Sequence, residues 1–409
     1  MRLRLFLIIF CIFLSSCQTT SVRQNIVEFS EKARPNDKAI SNSQDGYRSR
    51  IQRWKSQNRL YVVNPKGNAV DFKYEQNEKS LILEKELSEG SILSYLFYEN
   101  GVIKYNGKAK DGRFNKNIND ETLFFTHSTG KSIVSYIVGH AICEGYISSI
   151  DELIDWPMMS NTLYQGQRLR DLLNMNAGDI HTVHNRSRSI MGSNKHHRDM
   201  GLDRIAALLD GTKKMGDAVF YNNVLTDIIA NYVVFKSGDK YNELMRSIFQ
   251  DKIKIKYRIS YQKHRRTPAI SKFSKYWGKP ETQASYSYHM TRTDFLRVAV
   301  AMMKDYQNQT CVGKYLKQAQ ALALKWPKYR SWGKQKTNLH SYAKKYGAQF
   351  YFDFYGMDDR NIISTIGYNN QNMLIDMDNS RIIVTNSAAT GWDQIVFMIN
   401  PIRDGVLPK

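Results

Sequence analysis

Ser128, Thr129, Gly130 and Lys131 stand at the front of a run, Ile133 to Ile142, that is apolar except at Ser135, Gly139 and His140. If a helix starts here, the serine hydroxyl and the lysine amine share one face of its first turn, within reach of each other. A serine hydroxyl is a poor nucleophile until a base takes its proton, and a lysine stripped of solvent can be that base. The helix N-terminus adds N–H groups and a positive dipole end, which depress the amine's pKa and can cradle an oxyanion. Ser128 is therefore the candidate nucleophile and Lys131 its base.

Spelling alone does not select this pair. S-x-x-K starts at Ser128, Ser237, Ser260, Ser331 and Ser341. Only Ser128 opens a helix apolar on nearly every side, the mark of a buried element. A third group is needed to carry protons to a leaving group. Tyr221-Asn222-Asn223 follows the apolar pair Val219-Phe220 and precedes an apolar helix, Val224 to Phe235, that stops at Lys236-Ser237-Gly238. A tyrosine hydroxyl beside cations loses its proton more easily, and Asn223 can hold Lys131 or a substrate amide by hydrogen bonds. Y-x-N also starts at Tyr98, Tyr306 and Tyr368, so here too context does the selecting.

Other chemistries are excluded. Thr129-Gly130-Lys131-Ser132 reads like the end of a phosphate-binding loop, but position 125, where that loop needs glycine, is Phe125. His181 with His184, and His196 with His197, lack a matching ligand set, so no metal and no cofactor is expected. His127 reads as a packed residue at the edge of the site.

The chain of 409 residues is long enough for a large core, and its 42% hydrophobic and 12% aromatic content marks a globular protein. A formal charge of +21 suggests an anionic cell-wall or membrane surface nearby. Motifs of nucleic-acid binding are missing, so no nucleic-acid partner is expected. Residues 252–279 and 306–352 are basic and free of acids. Met1-Arg2-Leu3-Arg4 and the apolar run Leu5 to Leu14 fit a secretory signal too short to span a bilayer. Leu14-Ser15-Ser16-Cys17 resembles the bacterial lipobox, which implies lipid on Cys17 and, with Gln18 next, an outer-membrane anchor facing the periplasm. Of the remaining cysteines, Cys143 and Cys311 lie in the body of the chain, and their pairing is left open.

Strands are expected at Ile92 to Tyr98 and Val102 to Tyr105, joined by Glu99-Asn100-Gly101 with its Asn-Gly hairpin signal. Others are expected at Phe350 to Phe354, Ile362 to Gly367, Met373 to Ile375 and Ile382 to Thr385, with Gln394 to Ile399 either strand or helix. The fold class is therefore α+β, an antiparallel sheet built from N- and C-terminal strands, flanked by helices, with a mostly helical inserted domain. The expected divisions are a signal peptide (1–17), a tether (18–58), a sheet domain (59–125 and 286–409) and a helical domain carrying the nucleophile (126–285).

In order along the chain, Ser128/Lys131, then Leu172-Leu173-Asn174-Met175-Asn176-Ala177-Gly178, then Tyr221-Asn222-Asn223, then Thr291, Asp294 and Arg297 resemble the β-lactamase and penicillin-binding-type serine hydrolases. The branch is that of class C β-lactamases, related esterases and 6-aminohexanoate-dimer hydrolases, and the resemblance covers residues 90 to 400. It implies an acyl-enzyme on Ser128 with an ester or amide substrate, small or peptidic. Lys131 would be the base, Tyr221 the proton carrier and Asn223 a positioning group. The family's third motif falls on Gly367-Tyr368-Asn369-Asn370-Gln371, with Gln371 offering the second oxyanion N–H. Tyr368 stands where a lysine or histidine is expected, and Asn370 where a glycine is. Recognition of a substrate carboxylate is weakened, so the resemblance does not extend to efficient β-lactam hydrolysis. The alternative is a catalytically impaired binding or scaffold lipoprotein of the same fold.

Overall fold

The computed structural model describes residues 55, 58–75, 79–109, 118–180, 201–263, 281–326 and 337–409. The strands are β1 (Leu60–Val63), β2 (Lys73–Tyr74), β3 (Ile92–Glu99), β4 (Val102–Lys108), β5 (Leu123–Phe125), β6 (Ile259–Lys263), β7 (Thr282–Gln283), β8 (His289–Thr291), β9 (Leu324–Lys325), β10 (Ala343–Gly347), β11 (Phe350–Phe354), β12 (Ile362–Gly367), β13 (Gln371–Asp376) and β14 (Arg381–Ser387). The helices are α1 (Leu81–Glu89), α2 (Thr129–Cys143), α3 (Leu169–Leu173), α4 (Leu202–Leu208), α5 (Asn223–Ser237), α6 (Tyr241–Arg246), α7 (Arg292–Gln307), α8 (Cys311–Ala321), α9 (Leu339–Tyr342) and α10 (Asn400–Asp404).

The main sheet runs β2-β4-β3-β14-β13-β12-β11-β10-β9, so the N-terminal hairpin joins the C-terminal strands through β3 and β14, as expected. All its pairs are antiparallel except β2 with β4. Asn100 and Gly101 take φ of 50° and 97° at the β3–β4 turn, the left-handed geometry that Asn-Gly supplies at low cost. Every residue of β12 and β13 is buried, so both faces of the sheet centre are covered. Helices α2 and α7 both pack against β13, and α2 also meets β12.

A smaller sheet is ordered β1-β6-β8-β5 with β7 on β6; strand structure is expected in the sequence from Leu60, where β1 starts, but not this pairing. Its strands β6 and β7 lie within 126–285, so that segment is not purely helical. Gln394 to Ile399 resolves as helix: a π-helical turn, Ile395–Ile399, runs directly into α10.

Thr291, Asp294 and Arg297 prove to be structural. Thr291 caps α7 by accepting from the Asp294 N–H at 3.2 Å. Asp294 accepts from the N–H groups of Lys256 and Tyr257, and Arg297 donates to the Val70 carbonyl at 2.8 Å. One helix terminus thus staples two distant segments. Cys143, at the end of α2, is disulfide-bonded to Cys311, the first residue of α8. Among the described residues no helix is long and apolar enough to cross a membrane. Cys17, the four histidines between 181 and 197, and parts of both basic segments lie outside the described residues.

Candidate active site

Strand β5 pairs with β8 and ends at Phe125, and the Thr126 N–H continues the ladder to the Tyr288 carbonyl at 2.9 Å. His127 then turns the chain with φ of 48°, and Ser128 takes the N-cap position immediately before α2. A left-handed φ on a non-glycine residue is uncommon and costs about 1–3 kcal/mol when surroundings enforce it. The Ser128 side chain makes no capping hydrogen bond, so its hydroxyl is not spent on the helix end. It lies 3.4 Å from Lys131 Nζ.

Lys131 is 1% exposed. Its amine donates to Asn223 Oδ1 and, at 3.2 Å, to the Ser285 carbonyl, and it sits 5.0 Å from the centre of the Tyr221 ring. Burial pulls its pKa down to about 7, against the opposing pull of Asp227. Burial therefore favours the free amine, the state able to accept a proton.

Asn222 separates the two useful residues of its triplet by doing structural work itself. Its Oδ1 accepts the Leu225 N–H at 3.0 Å and caps α5, while its Nδ2 donates to buried Asp179 at 3.1 Å. The Phe220 N–H donates to the Met175 carbonyl at 2.7 Å, tying this loop to the turn after α3. Tyr221 packs edge-on against Trp326 and Tyr346. Gly178, with φ of 65°, lies so close to residues 215 and 216 that a Cβ there would meet the Gly216 carbonyl at 2.6 Å.

The opposite wall is the β12–β13 hairpin. The Thr129 hydroxyl donates to the Gln371 carbonyl, and a Cβ on Gly367 would stand 2.4 Å from the Thr126 carbonyl. The hairpin therefore lies directly on the nucleophile turn, and Gly367 is what permits it. Asn369 and Asn370 take φ of 56° and 54°, a region asparagine tolerates better than most side chains. Tyr368 is 66% exposed and stacks edge-on with His127, ring centres 5.4 Å apart. Asn370 is 4% exposed, its carbonyl accepting the Thr385 hydroxyl at 3.1 Å. Gln371 spends its side chain on bracing, donating to the carbonyls of Asn369 and Ser387 and accepting from Asn386.

The structure thus gathers Ser128, Lys131, Tyr221 and Asn223, and lays the hairpin of Tyr368, Asn370 and Gln371 beside them. Two of the rival S-x-x-K pairs do other things, and Ser331 with Lys334 lies outside the described residues. Ser237 bonds back to the Val233 carbonyl while Lys240 pairs with Glu243, and Ser341 bonds to Asn338 while Lys344 pairs with Asp358. His127 is half-buried between Phe125 and Tyr368, beside the nucleophile. The groups the sequence reading missed are Thr129, Asp227 and the Ser285 peptide. Only Asp227 left a signal, an acid one helical turn after Asn223 inside an apolar run. Among the described residues no group of His, Cys, Asp or Glu has the arrangement of a metal site.

The same architecture recurs in solved structures. A protein described as a 6-aminohexanoate-dimer hydrolase of Bacillus anthracis superposes with a TM-score of 0.56 at 15% identity, covering 82% of this chain and 87% of its own. The chain has the fold of the β-lactamase and penicillin-binding-type serine hydrolases. A D-stereospecific amidohydrolase from Streptomyces matches this fold with a TM-score of 0.52 at 12% identity, covering 77% and 95% of the two chains. An octameric penicillin-binding protein homologue from Pyrococcus abyssi matches it with 0.52 at 12% identity, over 78% and 74%. No protein-family model matches the sequence, and no curated protein does. At these identities the likeness concerns the fold, and the chemistry rests on the site's own residues.

Proposed function

We propose that the protein is a serine hydrolase that cleaves an ester or an amide through an acyl-enzyme on Ser128. The observation that carries this reading is the desolvated amine of Lys131, 3.4 Å from the Ser128 hydroxyl and fixed by Asn223 and the Ser285 carbonyl. The neutral amine takes the Ser128 proton as the oxygen attacks the substrate carbonyl. The oxyanion is held by N–H groups at the start of α2 and on Gln371. Tyr221, beside the Lys131 amine, relays the proton to the departing alcohol or amine, and water later releases the acyl group. Tyr368 in place of a cation favours substrates without a carboxylate at that wall over β-lactams.

Activated esters, D-Ala-type peptides, linear amides and nitrocefin, each assayed with wild type and Ser128→Ala, test the reading. Hydrolysis of at least one that is lost in Ser128→Ala is expected. Turnover that persists in Ser128→Ala would contradict it.

The leader and the disulfide together support a place in the cell envelope: disulfides persist in oxidising compartments. We propose a lipid anchor on Cys17 in the outer membrane, with the enzyme facing the periplasm. Cys17→Ser is expected to move the protein from the membrane fraction to the soluble one, and unaltered fractionation would refute the anchor.

A further inference from the structure

Helix α5 carries a polar stripe, Asn223, Asp227 and Asn231, at four-residue spacing in a largely apolar sequence. Each member holds something outside the helix. Asn231 takes both polar atoms of the Thr282 backbone, donating to its carbonyl at 2.8 Å and accepting its N–H at 3.0 Å. Asp227 accepts the Ser285 N–H at 3.0 Å. Asn223 accepts from Lys131, which also donates to the Ser285 carbonyl at 3.2 Å. The Ser285 residue is thereby clamped between Asp227 and the lysine amine.

A carboxyl group at Asp227, 2% exposed, is costly to bury. The Ser285 N–H does not require it. An asparagine would accept the same hydrogen bond, as Asn231 does one turn further on. What an asparagine lacks is the charge, and a second acceptor oxygen for the Ala284 N–H that also bears on Asp227. The ionisable groups bearing on Asp227 are Lys131 from α2, with Glu281 and Tyr288 from the segment around β7 and β8. Burial pushes Glu281 well above the usual carboxylate range and so disfavours its charge, while its Oε2 accepts the Leu202 N–H at 2.8 Å. Tyr288 is likewise pushed up and stays neutral. Lys131 is left as the cation facing the carboxylate.

We propose that Asp227 is a positioning residue that sets the pH at which Lys131 becomes a free base, through its charge and through the Ser285 peptide it holds. This rests on the reading of Lys131 as base. Burial lowers Lys131 and raises Asp227, and the charge of each opposes the other's shift. When Lys131 takes the Ser128 proton, the new ammonium forms facing a group that can carry the balancing negative charge.

Asp227→Asn keeps the shape and the acceptor for Ser285 and removes the charge. The titration of Lys131 is read by NMR on the full chain labelled at lysine Cε, with Lys131 identified by the signal missing in Lys131→Ala. The expected result is a Lys131 pKa lower by about one unit or more, with the acid limb of ester hydrolysis moved to lower pH alongside it. Asp227→Glu, which restores the charge, is expected to return both toward wild type. Asn231→Ala is expected to lower stability while Lys131 titrates as in wild type. A Lys131 that titrates unchanged in Asp227→Asn overturns the proposal, even if activity falls equally at every pH. A shifted Lys131 with an unmoved acid limb upholds Asp227's effect on the amine but removes Lys131 as the base. Should Asp227→Asn not fold, Asp227→Ser removes the same charge with a smaller side chain and is read the same way.

Discussion

Replacing Lys131 by alanine is expected to lower turnover of a cleaved ester by ~10²–10⁴-fold, the usual worth of a positioned general base. The fold, followed by circular dichroism, should persist, because α2 keeps its apolar packing along residues 133–141. In wild type the rate should rise with pH through about 7, since the amine must be neutral to accept the Ser128 proton and burial holds its pKa there. In Lys131→Ala that limb should vanish. An unchanged rate, or an acid limb that survives the substitution, would remove Lys131 from the mechanism. Part of the loss will be indirect: Asn223 Oδ1 and the Ser285 carbonyl both lose the amine they accept from, so the walls can shift. A pH profile separates this from lost base catalysis, because a geometric defect does not titrate.

Tyr221→Phe carries the second large effect, and its size depends on the leaving group. The ring, packed on Trp326 and Tyr346, is unchanged, so only the hydroxyl is lost. An amine leaving group needs a proton as the C–N bond breaks, whereas an activated phenolate does not. The loss should therefore be ~10²–10⁴-fold on an amide and much smaller on an activated ester. Single-turnover kinetics on the two substrates make the comparison. An equal loss on both would make Tyr221 a packing or binding residue and leave the proton carrier unassigned.

How much of this was legible in the sequence depended on the range of the interactions. The β3–β4 hairpin was readable because Asn100 and Gly101 state the turn locally. Helix α2 was readable because burial on all sides leaves an apolar run. The short strand pairings of the small sheet were not, since Leu60 pairs with Gln262 across two hundred residues and a local strand signal does not name a distant partner. Gln394 to Ile399 was ambiguous because a short apolar run suits a buried strand or a buried helix equally. The π-helical turn runs into α10, which packs on β13 and β14, a tertiary contact that no local pattern states.

Within the site, the residues that do chemistry were more legible than those that hold them. Ser128, Lys131, Tyr221 and Asn223 stood out by type and order. Thr129 did not, because a threonine on a first helical turn means nothing until the Gln371 carbonyl is beside it. The disulfide between Cys143 and Cys311 was open for the same reason: the α2–α8 packing that brings them together is tertiary. Asn370 stands where the resemblance expects glycine, and its left-handed φ of 54° shows how an asparagine occupies a position of that kind.

On this mechanism Ser128 is a nucleophile activated by its surroundings. Labelling of the folded protein by a fluorophosphonate probe, with the adduct mapped by mass spectrometry, tests it most directly. One adduct is expected, on Ser128, formed faster above pH 7 than below it and absent in Ser128→Ala. A folded wild type that takes no label, or a Ser128→Ala that labels equally, would contradict it.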